Sequence, residues 1–256
     1  MPDLTQPPIT KKSERHSLWV RIVHWLITVS FLALAVSGLL ILMVHPRLYW
    51  GEVGNDLTPA LFELPISRNY QHGGWEEIVP FSQEENSPVS ASRTFEIFNQ
   101  NGWGRSLHFL AAWFLVIPGA VYLLVGLFTA HFWRNFIPNA GELNSRLISQ
   151  DLKNHVRFRI REATGGPQYG ILQKCAYCGV VFIALPLAVM TGLAMSPAIT
   201  AAYPFLSDMF GGFQSARTIH FFASIILVLF LVVHVAMIVK SGFKRQILGM
   251  TYGKLK

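Results

Sequence analysis

Four stretches of the chain are nearly unbroken apolar runs, and polar character returns only between them. They extend from about Leu18 to Val44, Leu107 to Phe132, Leu172 to Met195 and Ile219 to Val239. Each is near the ~20 residues that carry an α-helix across a bilayer. The first run is too long for a signal peptide, lacks a small-residue cleavage site, and contains Arg21 and His24, so it is expected to stay as a helix. The pattern predicts an all-α integral membrane protein, a single domain over 1–256 built as a bundle of four transmembrane helices. Its connections are a long one over about 46–104, a second over about 133–171 and a short third.

Composition agrees with that reading: 52% of residues are hydrophobic and only 14% charged, against roughly 25% charged in ordinary globular chains. Two cysteines exclude a disulfide scaffold and any four-thiolate cluster within this chain. The net charge of +7 would fit nucleic acid or an anionic membrane surface, and the positions of the cations decide. Lys11, Lys12, Arg15 and Arg21 precede or open the first run. Seven Lys and Arg lie between runs two and three, counting Lys174, and Lys240, Lys244, Arg245, Lys254 and Lys256 follow run four. The 46–104 connection instead carries eight acids. Cytoplasmic flanks collect Lys and Arg, so both termini and the 133–171 connection are expected inside a bacterial inner membrane, with 46–104 periplasmic. Lipid and orientation account for the charge without nucleic acid.

Of nine histidines, His24, His108, His220 and His234 fall within the apolar runs, where an ionisable group is costly and points to function. His220 and His234 are 14 residues apart, which closes to within about 40° of one helical face and separates them by about 21 Å. His24 lies near the inner end of the first helix and His108 near the outer end of the second. The depths match His24 with His234 and His108 with His220. Two stacked bis-histidine sites suit two b-type haems, with the four imidazoles as axial iron ligands. Zinc or copper would lack third and fourth ligands there. Ser37-Gly38 and Thr191-Gly192 supply small residues near the outer site, with Gly38 and Gly192 expected to let a flat ring approach. Arg217, three residues before His220, is a candidate for a haem propionate or for a solvated interfacial cation.

The runs Arg21-Ile22-Val23-His24-Trp25, Trp103 to Phe109, and Ser215 to His220 followed by His234 resemble the dihaem b-type cytochrome subunits that anchor nickel–iron hydrogenases, formate dehydrogenases and related molybdoenzymes. The resemblance covers roughly Ser17 to Phe243. It implies electron transfer between a periplasmic catalytic partner, of molybdopterin oxidoreductase or hydrogenase type, and membrane quinone. On that account the chain performs no substrate chemistry alone. Quinone is expected beside the inner haem, with Gln173, Lys174, Tyr177 and His131 as candidate contacts, or else as ordinary members of an interfacial belt. The expected direction is inward, from a periplasmic oxidation to the outer haem, the inner haem and then quinone.

Cys175 and Cys178 depart from the family pattern. With no companion ligands they read as small packing residues rather than a redox pair. The length of 46–104, with its acids and with Trp50, Trp75 and Trp103, points to a partner-docking surface, and the alternative is a spacer. A reading of a different class is a proton-coupled transporter or channel with a histidine relay. Two clusters about 21 Å apart are too distant for such a relay, and no internal repeat is evident.

Overall fold

The computed structural model describes residues 17–55, 58–64, 66, 101–129, 132, 137–138, 144, 149, 151, 153 and 170–253. Helix α1 (Leu18–Val44) leads to a pair of two-residue strands, β1 (Arg47–Leu48) and β2 (Phe62–Glu63), and then to α2 (Asn101–Phe128). The third span, α3 (Ile171–Ala194), is followed by two short helices, α4 (Pro197–Ala202) and α5 (Phe205–Asp208). The fourth span, α6 (Phe213–Lys240), turns at Gly242 into α7 (Phe243–Tyr252). Among the described residues, helices α1, α2, α3 and α6 are the four segments long and apolar enough to cross a membrane. Their large apolar side chains face outward: Val29 and Val36 on α1, Ile117 on α2, and Leu229, Val232 and Val233 on α6 are all exposed. A soluble protein would bury that surface, whereas in lipid only the backbone needs internal partners, and helices provide them. The protein is a multi-pass membrane helical bundle.

The bundle is built from two hairpins. α1 packs along α2 and α3 along α6, and among the described residues the hairpins meet each other far less than the helices within each. α2 and α6 both begin several residues before their apolar runs, at Asn101 and Phe213, and α2 ends at Phe128. Hydropathy marks only the lipid-immersed part of a helix, and the added turns project beyond it. α3 is not uniform: Val180–Ala184 widens into a π turn, with the Leu185 N–H donating to the Val180 carbonyl. Pro186 follows directly. It has no N–H for the preceding turn and its ring crowds the carbonyl four residues back, which the wider turn relieves.

One end of the bundle carries a cap. β1 pairs antiparallel with β2, and an Arg47–Glu63 ion pair at 3.4 Å spans the same two strands. The segment between them is fastened to the start of α6. The N–H groups of Gln214 and Ser215 donate to the Gly51 carbonyl at 3.0 and 3.1 Å, and that of Phe213 to the Glu52 carboxylate at 3.0 Å. The first N–H groups of a helix have no partner within it, and the cap supplies them. The Thr218 hydroxyl donates to the Tyr49 carbonyl at 2.7 Å, and Ser215 Oγ accepts from the Gly51 N–H at 2.7 Å. Gly212, at φ 109°, comes so close that a Cβ there would stand 2.6 Å from the Gly51 carbonyl group, so only glycine fits.

At the opposite end α7 lies beside the start of α1. Arg21 donates to the Thr251 carbonyl at 2.9 Å and the Trp25 indole to that of Met250 at 3.3 Å. Nearby, the pairs Trp19–Tyr122, Tyr122–Phe132 and Phe132–Phe182 make ring contacts at 5.6, 5.5 and 5.2 Å, joining the two hairpins.

Candidate functional site

Beneath the cap the hairpins enclose a cavity of about 1110 Å³. Its lining includes Gly38 and Leu34 of α1, His108 of α2, Ala188 and Gly192 of α3, and Arg217 and His220 of α6. The structure brings His108 and His220 together across it, with ring centroids 6.2 Å apart and planes inclined by 66°. Two imidazoles bound to one metal from opposite sides, at about 2.0 Å per metal–nitrogen bond, place their centroids a little over 6 Å apart.

Each ring is held through Nδ1. His220 Nδ1 lies 2.9 Å from the Ala188 carbonyl and 3.0 Å from Thr191 Oγ1. His108 Nδ1 lies 3.0 Å from Ser37 Oγ, whose own proton goes to the Ala33 carbonyl at 2.6 Å. A carbonyl, or a hydroxyl whose proton is already donated, accepts only from a protonated nitrogen, so in both rings Nδ1 carries the hydrogen and Nε2 keeps the lone pair that a metal takes. A Cβ added at Gly38 would stand 3.4 Å from His108 Cε1, and one at Gly192 3.5 Å from His220 Cε1. The two glycines therefore lie against the imidazole edges. Among the described residues no group of three His, Cys, Asp or Glu is placed to hold a metal ion, and the site is a two-imidazole one.

Arg217 lines the cavity, but its guanidinium also donates to the His45 carbonyl and, at 3.5 Å, to Gln214 Oε1. It ties the end of α1 to α6. Arg47 and Arg105 also line the cavity. Charge alone could have drawn attention to this pair, but nothing in the 46–104 connection marks its first part as folding back.

His24 and His234 are half-buried on α1 and α6, in the half of the bundle nearer α7. His24 meets Trp25 edge-on at 5.5 Å, and His234 stacks on Phe230 at 5.8 Å. Phe230 in turn touches Tyr177 at 6.0 Å, and Gln173 Nε2 donates to Tyr177 Oη at 2.8 Å. Gln173 and Tyr177 thus share a face that leads to His234, while Lys174 is buried away from solvent. His131 lies outside the described residues, as does Trp75. Cys175 is exposed and Cys178 half-buried, and neither is in a disulfide.

Four apolar spans around a cavity flanked by two imidazoles are the architecture of an integral-membrane cytochrome b. The chain belongs to the prokaryotic cytochrome b561 family, which it matches over residues 15–253. It is 28% identical, over 87% of its own length and 89% of the relative's, to a protein of Azospira oryzae with the provisional name protein-methionine-sulfoxide reductase subunit YedZ1. No solved structure matches. Membership makes the chain a membrane haem-binding electron-transfer subunit, with haem b as its prosthetic group, and leaves the transporter reading without support.

Proposed function

We propose that this chain is the dihaem, quinone-reactive membrane subunit of an oxidoreductase whose catalytic partner docks on the capped, periplasmic face. The observation that carries the proposal is the His108–His220 pair, which faces across a cavity with both rings held at Nδ1. These two would ligate an outer haem, and His24 with His234 an inner one about 21 Å deeper, the rise of 14 helical residues. Bound haem b supplies reversible one-electron exchange at iron, so two at different depths connect the two membrane faces. Arg217, at the cavity wall, both closes the cap and offers a cation to a propionate.

Quinone is proposed beside His234, where Gln173 orients the Tyr177 phenol and the Phe230 ring bridges to the imidazole. A polar pair at the head of a span can bond quinone oxygens and pass the protons that accompany its redox change. The partner is proposed to be of molybdopterin type on the resemblance. The relative's name, a reductase subunit, favours electrons leaving quinol and moving outward, the reverse of the inward direction expected from sequence.

Haem stoichiometry and visible spectra of the purified protein test the proposal. Two six-coordinate low-spin haems per chain are expected. His108→Ala and His220→Ala should lose the same haem, and His234→Ala the other. A single haem per chain, or loss of the same haem from the His220 and His234 variants, overturns the pairing.

A further inference from the structure

Ser37 and Thr191 sit in equivalent places on the two hairpins. Each is fully buried at 0% exposure and followed by a glycine. Each hydroxyl lies within reach of a carbonyl one turn back, Ser37 Oγ with Ala33 at 2.6 Å and Thr191 Oγ1 with Leu187 at 2.7 Å. Each also stands 3.0 Å from the Nδ1 of the histidine on the other helix of its hairpin. On the second hairpin the carbonyl three residues before the hydroxyl, Ala188, bonds the same imidazole at 2.9 Å.

A hydroxyl has one proton and two lone pairs. Its proton is committed to the backbone carbonyl, so toward the imidazole it can only accept. The Nδ1–H of His220 is therefore shared between the Ala188 carbonyl and the Thr191 hydroxyl, and that of His108 is accepted by the Ser37 hydroxyl. An acceptor on the N–H draws its proton off, and at His220 two acceptors do so more than one. The ring gains imidazolate character and Nε2 becomes a stronger donor, as partners behind a ligating histidine raise its basicity. Stronger donation favours the more highly charged oxidation state of a bound iron.

We propose that Ser37 and Thr191 are positioning residues that fix the tautomer of His108 and His220 and lower the midpoint potential of the outer haem. The proposal rests on the assignment of those histidines as its ligands. It also explains why two unrelated helices carry a hydroxyl-bearing residue at the same register beneath a histidine, where packing alone would accept alanine.

The test is a spectroscopic redox titration of the purified holoprotein, with the outer component identified as the one missing from His108→Ala. Ser37→Ala and Thr191→Val each remove one acceptor, and the valine keeps threonine's shape. Each should raise the outer midpoint, and the double variant more so, by about three- to tenfold in the ferric-to-ferrous ratio at fixed potential, tenfold being about 59 mV for one electron. The inner component should stay in place. Thr191→Ser should restore the wild-type value. Ser30→Ala is the control: that buried hydroxyl has the same backbone bond, to Leu26 at 2.8 Å, and its loss should shift neither component. The low-spin ferric resonance of the outer haem should move with the potential in the two test variants.

Loss of the outer haem in Thr191→Val with recovery in Thr191→Ser also supports the role. Two haems with an unmoved outer midpoint in the double variant overturn it, as does haem loss in both Thr191→Val and Thr191→Ser. A wild-type protein whose titration has no component dependent on His108 overturns instead the ligand assignment on which the proposal stands.

Discussion

Gly38 and Gly192 face imidazole edges at distances that a methyl group satisfies by ordinary contact. Gly38→Ala and Gly192→Ala are therefore expected to keep both haem spectra, helped by the about 0.5–1 kcal/mol by which a helix interior prefers alanine. Gly38→Leu or Gly192→Leu should displace the ring and remove the outer haem, as visible spectra would record. At the other depth, Tyr177→Phe keeps the ring contact with Phe230 but removes the oxygen that accepts from Gln173. Electron exchange with quinone should slow in stopped-flow traces while haem content is unchanged, and normal rates would move the quinone elsewhere. The four span histidines are legible in the sequence because ionisable groups are rare in apolar runs. Ser37 and Thr191 read there only as small residues. Their contacts with His108 and His220 depend on which helix faces which, and the periodicity of one helix does not hold that information.

The cap holds the start of α6 through backbone atoms of Tyr49 and Gly51 and the Glu52 carboxylate. Thr218→Val leaves the buried Tyr49 carbonyl without that donor, at a cost of about 1–3 kcal/mol. Haem release on heating should come at a lower temperature, with the outer component first. Shortening the long connection over its whole acidic length, Glu52–Glu96, would cut into this cap. Removing only 67–96, which holds Glu76, Glu77, Glu84, Glu85 and Glu96, should weaken co-purification with the partner and leave both spectra intact. Undiminished co-purification would count against the docking role. Two-residue strands and a ten-residue amphipathic helix such as α7 are too short to leave a period in the sequence. The π turn follows from Pro186, but a proline in a span is equally met by a kink. The four spans were plain because lipid demands about 20 apolar residues regardless of neighbours.

The four described spans bring the start of α1 and helix α7 to the same end of the bundle. Lys240 ends α6, Lys244 and Arg245 lie on α7, and α7 contacts Arg21 of α1, which gathers cations at that end. The expectation that this face is cytoplasmic predicts a fluorescent fusion at Lys256 of green fluorescent protein exported through the Sec route, and an inactive alkaline phosphatase fusion at the same place. An active phosphatase there would invert the orientation. The hairpins carry a further consequence. Each presents one histidine with its Nδ1 already locked by the other helix of the hairpin, and in the proposed assignment each is half of a metal site. On the proposed ligation, iron held between them would act as a rivet, joining two subassemblies that, among the described residues, have few direct contacts on the cavity side. Assembly then has a natural order, in which two prefabricated halves wait for the prosthetic group that closes them. A chain severed at Gly141 and co-expressed as two pieces should reunite into a haem-bearing particle when haem is plentiful and come apart when its synthesis is blocked.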